Sequence, residues 1–468
     1  ILKPYEEPKM KKRWIAGMSL LALLSLPLSA VEVEEGIPAL YSKAGTSTVI
    51  ISFKDRISAL ELDSLKSASE IKRALMKNLE DSSADLKKRF GLFSNTRIIE
   101  ELWTSNAVVA EVSNQSLKEL ASRDDIEQIT LDGLVPMMKP VANSSYSPKE
   151  SEWTYGLKQM GVDKFRQAHN LTGEGVRVGI LDTGIDAEHP DLKGKVIHWK
   201  SFRGKDGQNP SDWHGHGTHV AGTIAGGNAS GKAIGVAPNA KLIIARIFGP
   251  RGMTSKSAIL KAMKWMADPD GNPDTDDHAQ IVSNSWGGKK QLKIMELSRW
   301  RAVKTWRKLN MVPVFAAGNS GPYDSTIGTP GGYPHSFAVG AVNSNDVVAK
   351  FSSRGPIKWG RKTYTKPDIS APGVSVFSAK PGGGYQKMSG TSMATPHISG
   401  LAALLLQANP DLNVDQVQDL LTTTAKDLGY PGKDEKYGHG RANILKAVES
   451  LKGLAQIKRE QFKTIHAR

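Results

Sequence analysis

Three short stretches of this chain set reactive side chains where the backbone would help them react. Ser392 lies in SGTSMATPHISGLAALL, residues 389–405. A tight Gly-Thr-Ser turn opens there onto a helix so poor in charge that it must be buried on nearly every side. Ser392 falls in the first turn, where free backbone N–H groups and the positive end of the dipole favour developing negative charge. Pro396, read as part of that first turn, is where a helix tolerates proline. A hydroxyl so placed is an N-cap or a nucleophile, and serine is among the commonest caps. His216 stands in SDWHGHGTHVAGT between Gly215 and Gly217, which allow close backbone approach. Asp182 ends the apolar run of VGILDTGID, too buried for a solvated carboxylate, and either caps the next turn or orients a partner. A serine hydroxyl reacts at neutral pH only with a base in hydrogen-bond reach, itself held by a third group. Asp, His and Ser, in this chain order, supply those parts.

Such side chains need a scaffold that brings distant segments together. From Gly161 onward, short apolar runs alternate with helical patterns, which predicts an α/β fold, a mostly parallel sheet wound with helices on both faces. Strands are expected at 176–181, 240–247, 280–283, 311–317 and 336–342, with a helix over 255–266. In open sheets of this kind ligands gather at the carboxyl ends of the strands. Asp182, Ser285 and Asn319 all fall at such ends.

The preceding part reads differently. Residues 46–138 predict a small α+β module, with strands at 49–53, 107–112 and 126–131, helical pattern over 59–90 and a short helix at 116–122. Residues 139–151, KPVANSSYSPKES, are polar and read as a linker. Upstream, Lys11-Lys12-Arg13, an apolar run over 14–28 and Ser29-Ala30 have the form of a secretory signal, and the run is too short for a membrane span. Residues 1–9 read as an extension ahead of it.

Composition narrows the classes. The 468 residues include no cysteine, which excludes disulfides, thiol nucleophiles and thiolate zinc sites. The net charge is +15, and the first 150 residues are close to neutral, so the surplus lies in the later part. No basic motif with interleaved aromatics suggests nucleic acid; the run Arg301–Lys308 reads as one face of a surface helix. His214, His216 and His219 invite a metal reading, but no HExxH pattern and no activating Glu accompany them.

The stretches around Asp182, His216 and Ser392, with AAGNSG around Asn319, resemble the signature blocks of the subtilisin family of serine proteases, the subtilases. The likeness covers about residues 150–450, and the module before them resembles the family's inhibitory propeptide. It implies that Ser392 attacks the scissile carbonyl, that His216 relays the proton and that Asp182 orients His216. It gives the Asn319 amide and the Ser392 backbone N–H the role of binding the oxyanion. Ser285-Trp286-Gly287 and Ala316-Ala317-Gly318 become edges flanking the P1 side chain, Gly252–Thr254 a strand for the peptide, and Gly328 a pocket floor with room for Phe, Leu or Met. Pro330 matches a cis-proline.

The implied organisation is an extension and signal peptide (1–30), a propeptide (31–138), a linker with the processing site (139–150), a catalytic domain (151–453) and a basic tail (454–468). Met138 is the favoured end of the propeptide, within a window of 138–150. Catalysis needs no cofactor. Structural calcium is expected less at Asp191, because Ala229 stands where an asparagine ligand belongs, than in the carboxylate-rich insertion 268–277. That insertion lacks the EF-hand spacing and resembles one in bacillopeptidase-like members. Lys256 and Trp286 depart from the usual rim of the P4 site. The expected protein is a secreted, self-processing endopeptidase, extracellular or periplasmic. It would be monomeric, take protein or peptide substrates and have its own propeptide as inhibitor. The alternatives are a maturation protease or peptide ligase with one narrow substrate, or an inhibited, non-catalytic binding protein.

Overall fold

Strands buried on both faces carry continuous apolar runs, and pairing them in parallel requires helices to cover each side. The computed structural model describes residues 31–90, 96–144, 152–204, 208–288 and 296–452. It joins seven strands in the order Ile369–Pro372, Phe337–Val342, Val312–Ala316, Ile281–Asn284, Arg177–Asp182, Lys241–Arg246 and Val196–Ser201. Every neighbouring pair is parallel. The two outermost strands were not expected from the sequence. Val196–Ser201 (VIHWKS) mixes polar residues into a half-covered edge, and Ile369–Pro372 (ISAP) is too short for a periodic signal.

Side chains alternate across the sheet. Val178, Ile180, Leu242 and Ile244 join one buried cluster with Val220 and Ile224 of the helix His216–Ala225, and with Ile398 and Leu401 of the helix Thr391–Ala408. Leu181, Ile243, Ala245 and Val282 point the other way, toward Ile259 and Met263 of the helix Lys256–Ala267 and Val303 and Trp306 of the helix Leu297–Lys308. The helices Lys256–Ala267 and Leu297–Lys308 thereby form the layer on which the N-terminal module sits.

That module is a five-stranded sheet in the order Glu32–Val33, Ile126–Leu131, Thr46–Phe53, Ala107–Ser113, Arg97–Leu102, antiparallel except for its first pair. Its long helix, Ala68–Phe90, buries Ile71, Leu75, Leu79, Leu86 and Phe90, a helical stripe. Glu32–Val33 and Arg97–Leu102 add strands not read from the sequence, one of two residues and one with Glu100-Glu101 in it.

Arg301–Lys308 is no free surface. Arg301 is buried; its guanidinium donates to the Phe53 carbonyl at 2.7 Å and pairs with Glu127 at 2.6 Å and Asp55 at 3.2 Å. Thr305 donates to the Thr104 carbonyl, Lys308 pairs with Asp63, and Lys264 of the neighbouring helix pairs with Glu100. Asp132 accepts from the Ser257 N–H at 2.8 Å, capping the helix Lys256–Ala267 from the module's side. The surplus positive charge of this layer therefore meets carboxylates of the N-terminal module.

The segment expected to be a slack linker is paired over its described part. Its residues Ala142–Ser144 add antiparallel to Lys387–Ser389, and just ahead of it, in the module, Leu134–Pro136 adds antiparallel to Met253–Ser255. The expected extension and signal (1–30), residues 145–151 and the basic tail (454–468) lie outside the described residues. Among the described residues, no helix is long and apolar enough to cross a membrane.

Candidate active site

Asp182 is the last residue of the central strand Arg177–Asp182 and is almost fully buried. Its Oδ1 accepts from the Thr183 N–H and from His216 Nδ1, each at 2.7 Å; Oδ2 has no partner. His216 begins the helix His216–Ala225, and the approach of that helix to the Asp182 turn depends on two glycines. A Cβ at Gly217 would lie 2.1 Å from the Gly184 carbonyl, and one at Gly184 would lie 2.0 Å from the Ser211 carbonyl. Asp212, not singled out in the sequence, ties the same turn. Its carboxylate accepts from the Thr183 hydroxyl, the His214 and Gly215 N–H groups and both donors of Thr218. An Asp four residues ahead of an apolar helix was the available signal.

Burial alone would pull the His216 pKa down. The Asp182 carboxylate, by charge and by hydrogen bond, overrides it and holds the imidazole above its ordinary value. Because Nδ1 donates to Asp182, Nε2 of the neutral ring is left as the proton acceptor, and it has no hydrogen-bond partner.

Ser392 is the second residue of the helix Thr391–Ala408, which packs directly against the helix of His216. Its hydroxyl donates to the Ser285 carbonyl at 3.1 Å, so it rests on the strand end 281–284 and not on His216. Pro396 lies beyond the first turn, contrary to the sequence reading, inside the helix. It therefore cannot bond the Ser392 carbonyl four residues back. The Ser285 hydroxyl donates to that carbonyl at 2.8 Å, so the freed acceptor is satisfied.

The Asn319 amide follows the strand Val312–Ala316. Its Oδ1 accepts from the N–H and from the hydroxyl of Thr391, each at 2.9 Å, which turns Nδ2 outward. Nδ2 donates to the Lys139 carbonyl at 3.2 Å. Thr391 thus positions the Asn319 amide, which sequence reasoning missed; a Thr beside Ser392 carried no periodic signal. The expected pocket edges lie together: Gly288 N–H donates to the Thr329 carbonyl, and a Cβ at Gly287 would sit 3.2 Å from the same oxygen and 3.6 Å from Met138 Cε. A Cβ at Gly318 would meet Gly328 N at 4.0 Å. Ala317 is bonded to the sheet through Val339. Trp286 turns its ring into the core against Phe315, so only its backbone faces this edge. Thr329–Pro330 is cis. Gly252 accepts from the Met137 N–H at 2.7 Å.

Among the described residues, His214, His216 and His219 form no cluster that could hold a metal. His219 Nε2 donates to the Val376 carbonyl, and burial lowers its pKa to about 3. His397 Nδ1 donates to the Met393 carbonyl, and burial lowers its pKa to about 4. Asp191 spends its oxygens on the Ala229 N–H and the Tyr385 hydroxyl, at 2.7 and 2.8 Å. In the insertion, Asp268, Asp270 and Asp277 bring carboxylate oxygens within 4.8 Å of one another. The ammonium of Lys72, from the N-terminal module and fully buried, sits 3.2 Å from Asp268 and 3.9 Å from Asp277.

The sequence profile of the subtilase family matches residues 173–440. Bacillopeptidase F of Bacillus subtilis (strain 168) is 30% identical over 480 residues, 90% of this chain but 32% of that protein, so the chain spans about a third of that relative. Subtilisin J of Geobacillus stearothermophilus is 30% identical over 94% of this chain and 100% of its own length. Serine protease AprX of Bacillus subtilis (strain 168) is 36% identical over 73% of this chain and 79% of its own.

Proposed function

Because the chain belongs to the subtilase family and is a subtilisin-like serine endopeptidase that needs no catalytic cofactor, we propose that Asp182, His216 and Ser392 are its triad, with Asn319 in the oxyanion hole. The observation that carries this reading is the bond from His216 to Asp182 at the end of the central strand, with the His216 helix packed against the helix that bears Ser392.

Ser392 Oγ swings from the Ser285 carbonyl to His216 Nε2, gives up its proton there and bonds the substrate carbonyl carbon. The Asp182 carboxylate stabilises the imidazolium that forms. The Asn319 amide, aimed by Thr391, and the Ser392 N–H take the oxyanion, and they are fixed before the charge develops. His216 returns the proton to the leaving nitrogen, and water cleaves the acyl ester by the same path reversed.

Residues 31–138 act as a propeptide of this zymogen, 151–453 as the catalytic domain, and the mature protein is secreted and monomeric. Substrates add as an extended strand along Gly252–Thr254 and Ser285–Gly287, and the edge of Ala317 and Gly318 over Gly328 admits large apolar P1 side chains. Lys256, which pairs with Glu34 at 3.1 Å, puts a cation rather than an aromatic at the P4 rim in this reading. Structural calcium fits the insertion only when the Lys72 ammonium is withdrawn, since that ammonium already neutralises Asp268.

The test compares intact mass and N-terminal sequence of wild type with Ser392→Ala. Loss of the N-terminal module in wild type, with a new end between 139 and 151, and a full-length variant are the expected results. Equal cleavage of both, or a wild type inert toward added peptide, would sink the reading.

A further inference from the structure

In a bond about to be cut, one residue supplies both the side chain in the pocket and the carbonyl on the oxyanion donor. Here two residues share those parts. The Met138 side chain lies against Gly287, with its Sδ 3.4 Å from Thr391 Oγ1. The carbonyl held by Asn319 Nδ2 belongs to Lys139, whose side chain is exposed. In an extended chain, successive carbonyls point to opposite sides. With the Lys139 oxygen on Asn319, that of Met138 is turned away. The bond presented instead, Lys139–Pro140, has as its leaving atom a ring nitrogen that carries a carbon in place of the amide hydrogen.

The mismatch has a visible cause downstream. Val141 N–H donates to the Ser389 carbonyl at 2.8 Å, two residues beyond the carbonyl on Asn319. Drawing back only the segment beyond Met138 by one residue, so that the Met138 carbonyl meets Asn319 while its side chain stays in place, would bring residue 140 opposite Ser389. Residue 140 is proline and has no N–H to donate. The upstream pairing, Met137 N–H to the Gly252 carbonyl, keeps the pocket register meanwhile.

We propose that Pro140 is a positioning residue that holds the uncut chain one residue out of register, and that self-cleavage at Met138–Lys139 waits for this slip. The inference rests on the proposed triad. After the slip, Ser392 Oγ bonds the Met138 carbonyl carbon, the bond to Lys139 nitrogen breaks, and the serine proton passes through His216 to that nitrogen. Water then releases Met138 as a carboxylate and restores the serine.

The experiment follows conversion of the full chain by intact mass, with the new ends sequenced, for wild type, Pro140→Ala and Val141→Pro. Pro140→Ala gives the productive register its missing donor, and Val141→Pro takes the donor from the resting one. Each should speed conversion by about three- to tenfold, the worth of one net hydrogen bond, with Met138 still the end of the released module. Unchanged or slower conversion in Pro140→Ala, or a wild-type cut after Lys139, overturns the register inference while leaving the protease reading intact. A wild type that cleaves neither itself nor an added peptide overturns the protease reading instead. In the Ser392→Ala chain, hydrogen exchange supplies a second measurement that does not depend on conversion. The Val141 amide should be protected, and an unprotected one overturns the resting register.

Discussion

Removing the Lys72 ammonium should loosen the N-terminal module from the insertion without touching the catalytic groups. Lys72 is fully buried and faces Asp268 at 3.2 Å and Asp277 at 3.9 Å. At an effective dielectric of about 20, such pairs are worth roughly 5 and 4 kcal/mol before desolvation is charged against them. The net worth of the pair is far smaller, but deleting one partner strands the other charge, at a cost of about 3–5 kcal/mol. Burial already raises the Asp268 pKa, and Lys72 opposes that rise; without Lys72, Asp268 moves further up and relieves part of the cost by taking a proton. The assay is hydrogen exchange across Ala68–Phe90 in the full chain carrying Ser392→Ala. Lys72→Met should raise exchange there by about 100-fold or more, the lower end of that cost at 1.4 kcal/mol per tenfold. Adding Asp268→Leu should recover most of the loss, because the nearer and more buried of the two stranded carboxylates is then gone as well. Exchange within about threefold of the parent, or no recovery in the double variant, would refute the electrostatic argument.

Other consequences follow from the same geometry. Asn319→Ala should lower turnover by about 100- to 1000-fold, the range known for the corresponding donor in subtilisins. Thr391→Val, which leaves the Asn319 amide held by the backbone N–H alone, should cost about tenfold in kcat with KM and melting temperature nearly unchanged, and Thr391→Ser should restore it. The base form of His216 is needed, and Asp182 holds its pKa above the ordinary value, so kcat/KM should rise with pH through a midpoint above 6.5. Asp182→Asn should move that midpoint down and lower kcat by about 10,000-fold, as loss of the orienting carboxylate does in a related triad. His219 and His397 have folded pKa values of about 3 and about 4, below the unfolded value. The unfolded chain therefore binds more protons, and stability is lost as pH falls from about 6.5 toward those values. Acid titration of unfolding with Ser392→Ala measures this slope, and His397→Gln should flatten it.

The sequence alone determined the class of the fold and which residues to propose as reactive. Apolar runs between helical patterns can pair only as a covered parallel sheet, and Asp182, Ser285 and Asn319 are legible because they end such runs. Ser392 is legible because its helix has almost no charge. Edge strands escaped, since Val196–Ser201 is half exposed and Ile369–Pro372 too short to show a period. Pro396 falls beyond the first turn because the helix already starts at Thr391, in the Gly-Thr-Ser turn.

Tertiary structure decided what depends on partners far away in the chain. The basic helix Leu297–Lys308 reads as a surface until Phe53, Glu127 and Thr104 arrive from the module that buries it. Thr391 and Asp212 acquire their roles from Asn319 and Thr183, and no spacing rule links residues so far apart. The strand pairing of residues 142–144, within a segment that composition marks as linker, comes from donors and acceptors on Lys387–Ser389. A sequence fixes which side chains exist and how each run is patterned; register across a site is set by backbone hydrogen bonds between segments, and these form only once the sheet has folded.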